Sequence, residues 1–232
     1  MKRFWTDVAI DADRVVTLDG RPVRTPARVP LALPTAALAE LVAAEWRAVP
    51  DRIDPRAMPL TGLANAAIDR IALDPAAFAA GLAAYGDSDL LYYRAESPDP
   101  LIARQVAAWD PWLDWARTRY DVHFETTAGI VHCAQPPATL ARLADAVTAL
   151  DAFRLAGLSP MVTITGSLIL ALALIERAGD PDTLWAAAHV DEAWQTELWG
   201  EDTLATQALA NKRREFDAAA AFLFALDDEA AG

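Results

Sequence analysis

The sequence of 232 residues has little cysteine, little lysine and no glycine-rich run. Its single cysteine, Cys133, cannot form an intramolecular disulfide, which excludes a secreted scaffold held together by disulfides. Lysine occurs only at positions 2 and 212, so the lysine of a phosphate-binding loop is missing. The G-x-G-x-x-G pattern of dinucleotide-binding folds and the G-x-S-x-G pattern of serine hydrolases are missing too. The commonest nucleotide-binding and hydrolase signatures are therefore excluded.

Histidine is also scarce, and the three histidines are not spaced as metal ligands. His132 and Cys133 are adjacent, which does not suit joint ligation of one zinc ion, and His123 lies in a separate segment. Asp87 and Asp89 resemble the start of a calcium-binding loop, but the residues after them are apolar or aromatic and supply no ligands. The sequence therefore predicts no metal, no cofactor and no catalytic residue.

Positive charge is outweighed by negative charge, with 20 basic against 33 acidic side chains and a net charge of −13. This balance argues against nucleic acid and against an anionic membrane surface as partners, because both require a basic face. Residues 155–175 carry no charge, but Gly157, Ser159 and Pro160 interrupt them. We expect a buried helix over residues 160–177, capped by Ser159, and no insertion into a membrane.

The first part of the chain combines short strands with helices. Residues 4–10 and 14–18 are rich in aromatic and β-branched side chains, and Asp19-Gly20 predicts a tight hairpin to a third strand over 21–25. Apolar side chains at helical spacing predict a helix that ends at Trp46. We expect an N-terminal α/β domain over residues 1–96.

The second part is predicted to be mainly helical. A helix beginning after Ser97-Pro98 is expected to kink or split at Pro111, and a small hairpin is possible over 122–133, around Gly129. Further helices are predicted over residues 137–150, 160–177, 181–199 and 203–226. The fold class is therefore α+β, with a small N-terminal region of antiparallel strands and helices followed by a helical C-terminal domain over 97–232.

The most informative segment is residues 180–202, which we call the acidic tryptophan segment. It contains seven acids, no lysine or arginine, and three of the eight tryptophans. On one continuous helix, Trp185, Glu192 and Trp199 recur every seven residues and share a stripe, with Gln195 beside them.

Two interpretations of this stripe remain open. Ala187, Val190, Trp194 and Leu198 form a second apolar side of the same predicted helix. Either the helix is buried on both sides, with Glu192 as a hydrogen-bonded core carboxylate, or one side faces a partner. An exposed tryptophan among acids suits a partner that is basic and partly apolar.

An ordered set of segments identifies a resemblance that runs nearly from end to end. They are residues 2–5 (KRFW), 18–26 (LDGRPVRTP), 44–46 (AEW), 58–61 (MPLT), Asn65, 67–69 (AID), 89–96 (DLLYYRAE), 109–111 (WDP), 165–168 (TGSL), and Asp191, Glu192, Gln195, Trp199, Gly200 and Asp202. With these segments the chain resembles the ATP synthase assembly chaperones that act on the α subunit of the soluble catalytic head.

The resemblance implies a two-part fold without catalysis or cofactor. It implies that the protein binds the unassembled α subunit of the F-type ATP synthase, shields the surface that later meets β, and releases α as the hexamer forms. The residues that it implies as partner-facing are Glu192, Gln195, Trp199 and Asp202, and Trp185 joins them from the stripe. Trp46 matches a family position as well, but we expect it to be a core anchor. Glu197 departs from the expected local pattern.

Two other functions remain as alternatives. One is a small-molecule enzyme that uses carboxylates in a cleft between the two parts, which two converging acids with perturbed pKa values would favour. The other is an acidic adaptor for a different basic client. Since no transit leader precedes the folded sequence, we expect a cytoplasmic bacterial protein rather than a mitochondrial precursor, monomeric when free.

Overall fold

A three-stranded antiparallel sheet begins the fold. In the computed structural model, which describes residues 2–227, its strands are β1 (Val8–Ile10), β2 (Val16–Leu18) and β3 (Arg21–Pro22), in that order. Asp19 and Gly20 connect β2 to β3 with φ angles of +47° and +75°, the left-handed conformation of a tight hairpin turn. The predicted hairpin is therefore confirmed.

Three helices follow the sheet: α1 (Ala36–Ala48), α2 (Pro59–Asp69) and α3 (Pro75–Ala83). Trp46 is buried near the end of α1, as expected of a core anchor. Glu45, beside it, accepts hydrogen bonds from the backbone N–H groups of Leu60 and Thr61 at 2.7 and 2.8 Å. These N–H groups belong to the first turn of α2 and have no partner within the helix, so Glu45 stabilises the start of α2.

The next elements are β4 (Tyr93–Arg94), α4 (Asp99–Tyr120), β5 (Thr127–Ala128) and α5 (Pro137–Thr148). β5 pairs in parallel with β4, in the register Tyr93↔Thr127 and Arg94↔Ala128. The hairpin predicted over 122–133 is therefore wrong. Gly129 does turn the chain, with φ of +82°, but its N–H donates to the carbonyl of Arg94, 2.9 Å away, so the partner strand comes from a distant segment.

Helix α4 runs through Pro111 without splitting. Proline removes one helical hydrogen bond, but Trp109 and Leu113 on either side of it are buried. The Trp109 indole N–H also donates to the carbonyl oxygen of Ala187 at 2.7 Å. Packing of this kind outweighs the local preference of proline for a helix break.

The helix predicted over 160–177 is wrong in its boundaries. α6 (Ala152–Thr165) contains Pro160, and α7 (Leu168–Ile175) follows it. Asp151, rather than Ser159, caps the first of these helices, because its carboxylate accepts from the N–H of Phe153 at 2.9 Å. Gly166, at φ of +68°, separates the two helices, and Ser167 caps α7.

The chain ends in α8 (Pro181–Ala188), α9 (Val190–Trp199) and α10 (Thr203–Asp227). The last agrees with the predicted helix over 203–226. The single helix predicted over 181–199 is wrong, because it is interrupted at His189. None of the helices in residues 2–227 is long and apolar enough to cross a membrane. Short antiparallel strands followed by a mostly helical body confirm the α+β fold class.

The described chain forms two packing units. The first comprises residues 2–75, 151–157 and 218–227, and the second comprises 76–150 and 158–217. In the first unit, Thr35 at the start of α1 donates its hydroxyl to the carbonyl of Ala225 at 2.6 Å. The end of α10 therefore belongs to the N-terminal fold, so these units do not follow one cut of the chain. The domains 1–96 and 97–232 remain a prediction from the sequence.

Candidate partner-binding site

Helix α8 begins the acidic tryptophan segment with a regular cap. The carboxylate of Asp180 accepts hydrogen bonds from the N–H and the hydroxyl of Thr183, at 2.9 and 2.7 Å. These hydrogen bonds hold the pKa of Asp180 below its ordinary value. Pro181 follows at the first helical position, where the missing N–H costs nothing.

Trp185 packs within the second unit rather than standing free. Its half-buried indole stacks on the His189 ring with 3.8 Å between ring centroids and meets Phe216 edge-on at 5.3 Å. The Arg213 guanidinium lies 5.3 Å from the same indole. Of the five candidate residues, Trp185 is thus the one whose ring is occupied by neighbours of its own unit.

His189 is the residue at which the chain leaves the helical conformation between α8 and α9. Its backbone has φ of −121° and ψ of 28°, and its Nδ1 lies 2.9 Å from the carbonyl oxygen of Trp185. A carbonyl oxygen can only accept, so Nδ1 donates to it, and burial lowers the pKa of His189. Because the helix is not continuous here, Trp185 does not share one helical stripe with Glu192 and Trp199.

Polar contacts attach α9 to α4. Gln105 donates its side-chain amide to Asp191 at 2.7 Å, and Arg104 forms an ion pair with Glu197, also at 2.7 Å. The Arg104 guanidinium also lies 4.8 Å from the centroid of the Trp194 ring. The hydrogen bond from Arg104 holds the pKa of Glu197 below its ordinary value. None of the α9 residues is fully buried.

Glu192, Gln195 and Trp199 are all exposed on α9. They recur at i, i+3 and i+7, so they share one side of the helix, away from the residues that contact α4. Trp199 is 77% exposed, and next to it Leu198 is 55% exposed. The interpretation of Glu192 as a buried core carboxylate is therefore wrong.

Asp202 is exposed and caps α10. Its carboxylate accepts from the N–H of Ala205 at 2.8 Å, and its carbonyl accepts from the N–H of Thr206 at 2.8 Å. Gly200, with φ of +81°, turns the chain between the two helices, and Leu204 on the first turn of α10 is 82% exposed. We call the exposed side chains of Glu192, Gln195, Trp199 and Asp202 the acidic tryptophan surface.

Only some acids of the acidic tryptophan segment form an ion pair with an arginine. Asp182 pairs with Arg213, and Glu197 pairs with Arg104. Glu192 and Glu201 have no ion pair with any residue in the part of the chain that the structure describes. Asp180, Asp191 and Asp202 also form no ion pair within residues 2–227, so the acids without a local cation are spread along the segment. Two of them, Glu201 and Asp202, follow the exposed Trp199 within three residues.

The structure gives no support to the carboxylate enzyme. Among residues 2–227, burial raises the pKa of two acids, Glu45 and Asp89, that of Asp89 to about 6. They belong to different units, and each is held by backbone N–H groups; Asp89 accepts from Leu91 and Ile169, both at 3.0 Å. Both acids stabilise helix starts. In residues 2–227, no cluster of three or more His, Cys, Asp or Glu is placed to hold a metal ion.

Sequence reasoning missed Arg104 and Gln105, which position α9. The sequence indicated such residues only indirectly. The acidic tryptophan segment contains no lysine or arginine, so any cation that pairs with its acids had to come from another element. The periodicity of the sequence does not identify α4 as that element.

Comparison with known proteins agrees with this fold. Residues 2–117 match the family model described as ATP12 chaperone protein. The mitochondrial protein atp12 of Schizosaccharomyces pombe is 24% identical over 214 residues, or 86% of this chain and 74% of the yeast protein.

Solved structures match over nearly the whole chain. Atp12 from Paracoccus denitrificans is 41% identical, with a TM-score of 0.90 over 97% of this chain and 98% of that one, and a point mutant of it gives 0.92 at 42% identity, covering 97% of each chain. The Agrobacterium tumefaciens protein Atu1473 is 40% identical, with a TM-score of 0.93 over 97% of this chain and 86% of its own. The resemblance found in the sequence is thereby confirmed, and the chain belongs to the ATP12 chaperone protein family.

Proposed function

We propose that the protein is an assembly chaperone for the catalytic head of the F-type ATP synthase, that it binds the unassembled α subunit, and that it covers the surface of α that later meets β. Membership in the ATP12 chaperone protein family supports the chaperone role. The observation that carries the binding role is the exposed indole of Trp199 beside acids that lack local cations.

The exposed apolar side chains give this surface its binding energy. Trp199, Leu198 and Leu204 stand in solvent on the end of α9 and the start of α10. Tryptophan contributes a large apolar area at low cost in side-chain entropy, and it is enriched among the residues that dominate protein interfaces. An unassembled subunit exposes the apolar surface of its future interface, which suits such a site.

The acids give the surface its selectivity. Glu192 and Glu201 attract a basic partner, and pairing with arginine or lysine of the client relieves the repulsion among the acids of the segment. Charges at the rim of an interface act mainly on the association rate and lose strength with salt. This combination suits a client that must be captured quickly and later released.

The test is whether the purified protein binds the isolated α subunit. We expect a stoichiometric complex that keeps α in solution, with weaker association in high salt. Co-purification from a bacterial extract tests the client without presupposing it. Recovery of a different basic client, with no α in the complex, would favour the acidic adaptor and overturn the assignment of α.

We place this activity in the bacterial cytoplasm, where the α and β subunits of a bacterial enzyme are made. The Paracoccus and Agrobacterium relatives support this location, and the mitochondrial relative from yeast supports the matrix for eukaryotic members. We expect the free protein to be monomeric.

A further inference from the structure

An arginine, a tryptophan and an acid contact one another in the same way at three places among the described residues of the second unit. In the first, the Arg94 guanidinium lies 4.9 Å from the centroid of the Trp109 ring and forms an ion pair with Asp110. A guanidinium can make both contacts at once, because its flat face covers the indole while its N–H groups, which lie in its plane, donate to a carboxylate. We call this arrangement an Arg–Trp–acid set.

The other two Arg–Trp–acid sets involve the acidic tryptophan segment. They are Arg104 with Trp194 and Glu197, and Arg213 with Trp185 and Asp182, with 4.8 and 5.3 Å between the guanidinium carbon and the ring centroid. In both sets the tryptophan and the acid belong to the segment and are three residues apart, whereas the arginine comes from another helix, α4 or α10. The segment contains no arginine or lysine, so any cation that covers one of its rings has to come from outside it.

Trp199, the third tryptophan of the segment, has an acid at the same spacing but no arginine. Asp202 follows it by three residues, and both side chains are exposed. Among residues 2–227, no arginine or lysine lies over the Trp199 ring, and none forms an ion pair with Asp202. The indole and the carboxylate are therefore both accessible to a cation of a partner.

The carboxylate of Asp202 is held in position for such a contact. Its Oδ1 accepts from the N–H of Ala205 at 2.8 Å, which fixes the side chain at the start of α10. Its Oδ2 accepts no hydrogen bond within residues 2–227. A carboxylate oxygen of this kind can accept from a guanidinium N–H, and a hydrogen bond between charged groups is stronger than one between neutral groups.

The chemistry of this pair favours arginine as the cation. The ammonium of lysine is a compact and strongly hydrated charge, whereas a guanidinium is planar, less hydrated and able to stack on a ring while it pairs with an acid. An anionic group is disfavoured, because Glu201 and Asp202 both lie within three residues of Trp199.

We propose that the acidic tryptophan surface binds an arginine of the unassembled α subunit, whose guanidinium covers the Trp199 indole and pairs with Asp202. This proposal rests on the proposed function, since the α subunit is the client. It specifies the chemical group of the client that the surface recognises.

Fluorinated tryptophans at position 199 test the contact between the cation and the ring. Each fluorine withdraws electron density from the face of the indole and changes its size little, so the ring attracts a cation less strongly. We expect the affinity for isolated α to fall stepwise from tryptophan through monofluoro and difluoro to tetrafluoro side chains, by about five- to thirtyfold in all, measured by titration calorimetry. An unchanged affinity across the series, with binding of α intact, would mean that Trp199 contacts only apolar groups. The arginine proposal would then be wrong, and the proposed function would stand.

Asp202→Asn tests the ion pair. Asparagine is also a good helix cap, so α10 keeps its N-terminal cap. Asp180→Asn is the matched control, because Asp180 is likewise exposed, caps α8 and forms no ion pair within residues 2–227. We expect Asp202→Asn to weaken binding of α by about tenfold and Asp180→Asn to bind within about twofold of the wild type. Equal affinities of the two variants would exclude Asp202 as the partner of the arginine.

A photo-crosslinking amino acid at position 195, one helical turn before Trp199, identifies the segment of α that lies on the surface. We expect this segment to contain an arginine whose replacement by lysine weakens the complex. A captured segment without arginine, or an arginine that lysine replaces without loss of affinity, would contradict the proposal. If the wild-type protein does not bind α, both the proposal and the proposed function are wrong.

Discussion

At the scale of single residues, Trp199 is the one tryptophan that is exposed among residues 2–227. It lies at the last residue of α9 with most of its indole in solvent, and Gly200 then turns the chain away. Leaving a large apolar side chain exposed costs nothing locally, but it also adds nothing to the stability of the fold. Its contribution is therefore expected in binding.

Trp199→Ala tests this expectation. Because the side chain is exposed, we predict a change of less than about 0.5 kcal/mol in the free energy of unfolding. We predict that affinity for isolated α falls by about thirtyfold, as for a central tryptophan of an interface, measured by titration calorimetry. A variant that binds α as well as the wild type would remove Trp199 from the site.

Glu192→Lys tests the charge of the surface. We predict loss of the complex with α and an unchanged circular dichroism spectrum, because Glu192 is exposed and forms no ion pair within the described chain. Glu215→Lys is the matched control: it makes the same charge change at an exposed position of α10 and should leave binding within about twofold. Equal losses in the two variants would indicate a general effect of net charge.

At the scale of elements, α9 is a helix held in place by polar side chains. Arg104 contributes both an ion pair to Glu197 and a contact with the Trp194 ring, and no α9 residue is fully buried. A helix with so little buried surface opens at a small free-energy cost. The acidic tryptophan surface thus lies on an element that we expect to adjust when a partner binds.

Arg104→Ala should loosen α9 selectively. We predict faster amide hydrogen exchange over residues 190–199, with little change in global stability, since the ion pair is exposed. Arg117→Ala serves as the control, because Arg117 also lies on α4 and combines an ion pair, with Asp114, and an aromatic contact, with Phe124. Unchanged exchange over 190–199 in Arg104→Ala would show that other contacts hold α9.

The elements that the sequence predicted well are those set by local chemistry. Asp19-Gly20 requires only its own left-handed turn, and α10 follows from an uninterrupted helical pattern. The prediction of a hairpin over 122–133 was wrong because β5 pairs with β4, some thirty residues earlier in the chain. No local sequence pattern specifies such a long-range pairing.

Only part of the candidate site could be predicted from the sequence, again because long-range contacts decide the rest. The interruption at His189 depends on its packing against Trp185 and on burial, so a continuous stripe through Trp185 was a natural but wrong expectation. The periodic spacing of Glu192, Gln195 and Trp199 is local to α9. Their exposure was not predictable, because it depends on which side of α9 faces α4.

At the scale of the whole molecule, a buried acid is expected to influence how stability depends on pH. Asp89 is fully buried, and burial raises its pKa from an ordinary value of 3.8 to about 6. Between these values the folded protein binds the Asp89 proton more tightly than the unfolded chain does. The contribution of Asp89 to stability is therefore largest below about pH 4 and is lost as the pH rises through 6.

Asp89→Asn isolates this contribution, because asparagine does not titrate. We predict that the stability of the wild type relative to Asp89→Asn falls by about 2 to 3 kcal/mol between pH 4 and pH 7, measured by urea unfolding. A relative stability that rises over this range would mean that hydrogen bonds from Leu91 and Ile169 outweigh the cost of burial.

The central claim is that the protein covers the surface of α that later meets β. The direct measurement is to add isolated β to the preformed complex with α and to follow the composition by size-exclusion chromatography with mass determination. We predict that β displaces the chaperone, so that free chaperone appears as α and β associate. A stable complex that contains the chaperone, α and β together, with α joined to β through their normal interface, would contradict the claim.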